Sequence, residues 1–395
     1  MALFGLFKRK KSQIAGDDIT MEELVSAQNE VSASLAARKE EAPAKVAETV
    51  KSSAAPDAAP EKQASPAKSP EILAKQRAIT RAALLGAAVG DAFGVPYEFL
   101  PRADVEKLPL YNMEGCNTGF AVQSRWGSRI PAGAWSDDTS MAVAVMDSII
   151  RHQGKANYED HMRSFINWWF GCQYTALDFP FGLGGVISHS LRRFQGGTPA
   201  LQCGGAQYMD NGNGALMRIF PSSLLCIFAG YDLAATAEEI GNSSAITHGH
   251  GISKMSCLIF TEILRALIDG KTILEALKAI RLIDYSAFYP HDVLIAMNNV
   301  LVPNFEQLGP EQIGETGYVV DTLLTALYSL VHSSSYEEAI YTAVRLGYDT
   351  DTSAAVTGAL AGAYYGEESI PQRWLAALAK RNMLEDLADS FAAVV

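Results

Sequence analysis

Two short segments pair carboxylates with hydroxyls just ahead of apolar, helix-forming runs. The first is Ala134-Trp-Ser-Asp-Asp-Thr-Ser-Met141, leading into Met141–Ile150. The second is Gly347-Tyr-Asp-Thr-Asp-Thr-Ser353, leading into Ala354–Tyr365. A single Ser, Thr or Asp suffices to cap a helix N-terminus. Capping therefore leaves the adjacent Asp137 and Asp138, and the alternate Asp349 and Asp351, unexplained. Residues two apart on a helix point nearly opposite ways, so such a pair converges only from a turn or a first turn. If the two corners face each other, four like charges gather and need a cation. An all-oxygen donor set suits Mg²⁺, Mn²⁺ or Ca²⁺ better than Zn²⁺. By residue type alone, one shared cation site and two independent caps both stand.

Helices must carry these corners. Apolar periodicity of the helical kind runs through Ser253–Ile268, which ends at Asp269-Gly270, and through Tyr318–Val331, Tyr336–Leu346 and Ser353–Tyr365. Strand-like alternation is scarce, with Val300–Pro303 the one short extended candidate. The joints are glycine-rich: Gly182–Gly185, Gly196-Gly197, Gly204-Gly205 and Gly212–Gly214. The run from Leu85 to Phe99 starts as a small-residue helix, which lets another helix come close, and ends with Glu98. Trp168-Trp169 reads as helix core. One all-α domain over 71–395 is the economical assignment.

The chain has 395 residues and a net charge of −12. The first 70 residues hold ten basic and ten acidic side chains, so the whole acidic excess belongs to the remainder. That excess argues against a general nucleic-acid binder, which works by neutralising phosphates. Five cysteines without close paired spacing fit a reducing compartment. The apolar stretches read as too short and too broken by polar residues to cross a bilayer. Residues 42–70, rich in Ala, Pro, Lys, Glu and Ser, cannot bury enough apolar surface to order themselves, so 1–70 reads as a largely disordered tail. Within it, Thr20-Met-Glu-Glu23 has the form of a capping box and precedes a weakly amphipathic helix over 20–40. The apolar-then-basic order of Met1–Lys11 is the reverse of a secretory signal, and a cytoplasmic location is expected.

Five segments in order resemble the ADP-ribosylglycohydrolase family: Leu85–Phe99, the Trp-Ser-Asp-Asp-Thr corner, Gly212-Asn-Gly-Ala-Leu-Met-Arg-Ile-Phe-Pro221, Ser244-Ala-Ile-Thr-His-Gly-His250, and the Asp-Thr-Asp-Thr corner. The resemblance runs from about Ala78 to Gly366 and implies an all-α fold that hydrolyses ADP-ribose linkages with two divalent cations, Mg²⁺ or Mn²⁺. Carried over by position, Ser136, Asp137 and Asp138 would bind metal from one corner, and Asp349, Asp351 and Thr352 from the other. Glu98 matches the family's acidic residue and is the candidate base, with Asp138 the alternative. Cleavage at an anomeric carbon passes through an oxocarbenium-like state that carboxylates stabilise. Gly212, Asn213 and Gly214 would offer backbone N–H groups to a pyrophosphate, although an ordinary turn also fits. His248, in its Ile-Thr-His setting, is a candidate substrate contact, and Arg218 either supports its loop or pairs with a carboxylate. Asp178 opens a rim segment, Asp178–Gly185, in which Phe179 or Phe181 could stack on adenine. Tyr348 departs from the family, where many relatives place Asn or Gly, and leaves the shape of that loop open. The expected substrate is an ADP-ribosylated protein, with arginine the favoured linkage. Two alternatives are a tail that occludes an ADP-ribosyltransferase toxin, as immunity-type relatives do, and a nucleotide phosphohydrolase on the same ligands.

Overall fold

A computed structural model describes residues 69–116 and 129–395. The expected tail and its 20–40 helix, together with the toxin-occluding role assigned to them, lie almost wholly outside the described residues. Among the described residues, eleven helices have nine residues or more. They are α1 (Pro70–Gly94), α2 (Asp137–Arg151), α3 (Tyr158–Gly171), α4 (Gly185–Gln195), α5 (Phe220–Phe228), α6 (Leu233–Ala245), α7 (Gly251–Ile268), α8 (Val319–Val331), α9 (Tyr336–Arg345), α10 (Thr350–Tyr365) and α11 (Arg381–Val394). The four helices read from periodicity correspond to α7, α8, α9 and α10 within a few residues. No strand forms among the described residues; two isolated bridges, Gly205 with His248 and Gly212 with Tyr318, are the only β pairing there. Val300–Pro303, the extended candidate, is turn and loop.

The architecture is built around α10. Every residue from Thr350 to Gly362 is buried, although the helix is Ala-, Gly- and Thr-rich rather than strongly apolar. It packs against α1, α7, α8 and α9. Burial on all sides explains why the helix has no polar face. Its threonine hydroxyls find partners within and beyond the helix: Thr357 Oγ1 donates to Ser353 O at 2.7 Å, and Thr350 Oγ1 donates across to Gly94 O of α1 at 2.8 Å.

The α1–α10 pair shows why both helices are made of small residues. A Cβ on Gly86 would lie 2.3 Å from Gly358 O, one on Gly90 2.0 Å from Ala354 O, and one on Gly94 2.3 Å from Thr350 O. The descending partners show that the helices run antiparallel, backbone against backbone. The end of α1 is thereby set beside the start of α10, which is where the chemistry lies. Pro96, in the short 3-10 turn Val95–Tyr97, ends α1 and turns the chain toward Glu98. Tyr336 Oη, fully buried, donates to Gly86 O at 2.6 Å and ties α9 to the same pair.

Length does not set α1 apart from a membrane helix as the sequence reading supposed. With its terminal turn (Pro70–Tyr97) it is long and apolar enough to cross a bilayer, with a mean hydropathy of 1.3 in its apolar window. That window is 83% buried inside the protein, so the helix is core. Trp168 is fully buried, as expected, and none of the five cysteines forms a disulfide among the described residues.

Candidate active site

The two acidic corners meet. Ser136 caps α2, its Oγ accepting from Asp138 N at 3.3 Å and donating to Asp138 Oδ2 at 3.0 Å. From the other corner, Thr352 Oγ1 donates to the same Asp138 Oδ2 at 3.3 Å. Capping explains Ser136 but not the second corner, because Asp349 stands at the N-cap of α10 and its side chain makes no capping bond to the first turn. Asp349 Oδ2 instead accepts from Asn213 Nδ2 at 2.8 Å, and the same amide donates to Thr322 Oγ1 at 2.9 Å. Both corners are helix N-termini, whose partial positive charge favours carboxylates.

A third segment adds another carboxylate. Asp91, on the last turns of α1, accepts from Ser136 N at 2.9 Å, Thr139 N at 3.0 Å and Thr139 Oγ1 at 2.7 Å. Ligand oxygens of Asp91, Asp138 and Asp351 all lie within 4.8 Å of one another, and all three residues are buried. Asp91 lies inside the Leu85–Phe99 segment, where no role was expected of it. Its signal was present: it is the one charged residue between Ala82 and Tyr97, and a lone acid in an apolar helix has to be paired or functional.

The electrostatics suit a cation. Burial, then the Asp91 and Asp349 charges, pushes Asp137 up to about 8. Burial and the surrounding carboxylates hold Asp138 and Asp351 well above the ordinary range. Asp91 rises only to about 6, because its hydrogen bonds oppose the cost of burial. Asp138 Oδ1 is buried without a hydrogen-bond partner. An orphaned carboxylate oxygen amid crowded acids matches the all-oxygen donor set of a hard divalent cation. Asp91, Asp138 and Asp351 could hold such an ion, with Ser136, Asp137, Asp349 and Thr352 around them.

The acids open on a cleft of about 270 Å³ lined by Glu98, Phe99, Asp137, Asp138, Asp349, Asp351 and Thr352, by the Gly182–Ile187 segment, and by Gly212, Asn213, Gly214, Met217 and His248. Five carboxylates thus face it, and among the described residues no Lys or Arg does. Gly182 has φ 96°, and a Cβ there would lie 2.0 Å from Asp137 Oδ1, so only glycine lets this loop close over the acid. Asn213 donates through its backbone N–H to Gly317 O at 3.1 Å, so both its amides are engaged within the protein rather than left for a pyrophosphate.

His248 lines the cleft while Nδ1 bonds Thr247 Oγ1 at 2.9 Å. Burial and the Arg218 cation push its pKa down to about 3, so the imidazole is neutral at pH 7. Arg218 is a loop support: it donates to Ser243 O at 3.1 Å and Thr247 Oγ1 at 2.7 Å and lies over the Phe165 ring. His250 caps α7 through Ile252 N. Asp178 is exposed and does not line the cleft; Phe181 is buried, and Phe179 is the exposed member of the pair. Tyr348 has φ 63°, a left-handed conformation that Gly and Asn adopt more readily than a bulky residue does.

Comparison with known proteins agrees with this geometry. The ADP-ribosylglycohydrolase family model matches residues 73–395. The chain is 30% identical to the ADP-ribosylarginine hydrolase Tri1 of Pseudomonas putida (strain GB-1) over 322 residues, covering 80% of this chain and 79% of that protein. It is 29% identical to the ADP-ribosyl-[dinitrogen reductase] glycohydrolase of Rhodospirillum rubrum, covering 75% of this chain and 88% of that one. A solved structure described as an ADP-ribosylglycohydrolase-related protein complex superposes with a TM-score of 0.63 at 27% identity, covering 81% of this chain and 98% of that one. With three buried acids gathered from separate segments and a family match over nearly all of the body, the chain is a glycohydrolase and belongs to the ADP-ribosylglycohydrolase family.

Proposed function

We propose that the protein removes ADP-ribose from arginine side chains of modified proteins and does so with divalent cations, two Mg²⁺ or Mn²⁺ ions. The observation that carries this reading is the convergence of Asp91, Asp138 and Asp351 within 4.8 Å, with Asp138 Oδ1 lacking any partner, beside Glu98 in one cleft. The arginine linkage is favoured by the similarity to ADP-ribosylarginine hydrolases. When bound, the cations supply Lewis acidity and neutralise the carboxylates.

The chain's own residues do the rest. Glu98 orients the attacking water and takes its proton, with Asp138 as the alternative base. The surrounding carboxylates stabilise positive charge as the bond at the anomeric carbon breaks. Asn213 and Thr352 hold Asp349 and Asp138 in place by direct hydrogen bonds. Neutral His248 presents a polar edge without adding charge. Gly212, Gly214 and the Gly182–Gly185 segment keep the wall low enough for a diphosphate to lie along it.

A panel of arginine- and serine-linked ADP-ribosylated proteins and O-acetyl-ADP-ribose tests this. Free ADP-ribose and unmodified arginine are the expected products. Absence of ADP-ribose from every linkage would remove the hydrolase reading of this site, and cleavage within the diphosphate would replace it with a phosphohydrolase.

A further inference from the structure

Six non-glycine residues among those described have positive φ, and two of them flank the acids of the cleft. Phe99 (φ 66°) follows Glu98, and Tyr348 (φ 63°) precedes Asp349. Bulky side chains keep this conformation only where the surroundings hold it. Here Phe99 N donates to Tyr348 O at 2.5 Å, and Tyr348 N donates to Leu100 O at 2.8 Å. The two rings meet edge to face with centroids 5.4 Å apart. Arg102 pins the base of the pair by donating to Leu346 O at 3.1 Å, Pro310 O at 2.6 Å and Ile313 O at 3.0 Å. A braced aromatic pair thus joins the segment carrying Glu98 to the corner carrying Asp349.

The pair is also open to solvent. Phe99 is 37% exposed and Tyr348 38%. Phe99 is the only hydrocarbon ring among the described residues that line the cleft, and the charged side chains lining it with Phe99 are all carboxylates. Aromatic faces beside negative charge recognise planar cations. In the proposed reaction Glu98 acts at the bond to be broken, which would set its neighbour Phe99, on the same cleft wall, beside the leaving group.

We propose that Phe99, braced by Tyr348, receives the guanidinium of the modified arginine and makes the site selective for arginine over alcohol linkages. This rests on the proposed hydrolysis of ADP-ribosylarginine and adds the residue that reads the leaving group. A serine hydroxyl offers neither the charge nor the flat face.

The test compares ligands with and without the guanidinium. In the full chain, Phe99→Leu should raise KM for arginine-ADP-ribosylated protein by about 3- to 30-fold, the range of a cation–π contact. Affinity for ADP-ribose, measured by calorimetry, should stay at the wild-type level, and Phe99→Trp should restore KM. Tyr348→Gly keeps a backbone that tolerates positive φ and removes only the brace, so it should shift KM in the same direction without lowering the melting temperature. A parallel loss of ADP-ribose affinity would overturn the proposal, because the ring would then stack on adenine or merely shape the cleft. Unchanged KM in both variants would overturn it as well. Release of ADP-ribose by the wild-type chain in the same assay checks the underlying reaction separately, and its absence would remove both.

Discussion

Asp138 concentrates the site's conflict in one side chain. One oxygen accepts from Ser136 and Thr352, the other is buried with no partner, and burial together with neighbouring carboxylates opposes its ionisation. A cation resolves all three conditions at once. Asp91→Asn keeps the shape and removes the charge, so affinity for Mg²⁺ or Mn²⁺ should fall by about 10- to 100-fold, read by calorimetric titration. Wild-type affinity in that variant would make Asp91 a purely structural anchor for Ser136 and Thr139. The two corners were legible in the sequence because capping needs one acid or hydroxyl and each corner held more. Asp91 stood out only as a lone acid in an apolar helix; its partners follow from the packing of α1 on α10, and residues 351 and 91 are brought together only by the fold. Tyr348 was legible as a departure, while its left-handed backbone and its partner Phe99 were not.

At the scale of elements, the glycines of α1 and α10 set the distance between the acids. A methyl on Gly90 would press on a backbone carbonyl that has nowhere to go. Gly90→Ala should therefore destabilise the fold by about 1–3 kcal/mol in denaturant unfolding and weaken cation binding too. Gly171→Ala, where an added Cβ meets nothing within 4 Å, is the control and should change stability by no more than about 0.5 kcal/mol. Equal effects of the two substitutions would contradict the close packing. Helices were readable from apolar period, and the small-residue run from Leu85 announced a close helix contact. Ser353–Tyr365 was readable as a helix but not as the partner of that run, because burial on every side leaves α10 no single stripe that points to one neighbour.

For the whole molecule, pH and cations should act together. In the unfolded chain carboxylates are already ionised above pH 6.5, whereas Asp137 in the fold keeps its proton until about 8. The folded state then binds more protons, so stability of the cation-free protein falls as pH rises from 6.5 to about 8. The slope is about 1.4 kcal/mol per pH unit for each carboxylate still protonated. Mg²⁺ or Mn²⁺ should flatten that fall, as seen in melting temperatures at pH 6.5 and 8 with and without chelator. His161 and His248, buried and pushed down to about 3, act at the other end: their contribution is intact above about 6.5 and is lost as pH falls toward 3. The most direct measurement is release of ADP-ribose from arginine-modified protein by the full chain, first chelated and then resupplied with Mg²⁺ or Mn²⁺, beside Asp351→Ala. A cation-dependent hydrolase should show no release under chelation, recovery on resupply, and a loss of more than about 100-fold in the variant. Full activity under chelation, or in Asp351→Ala, would contradict that dependence.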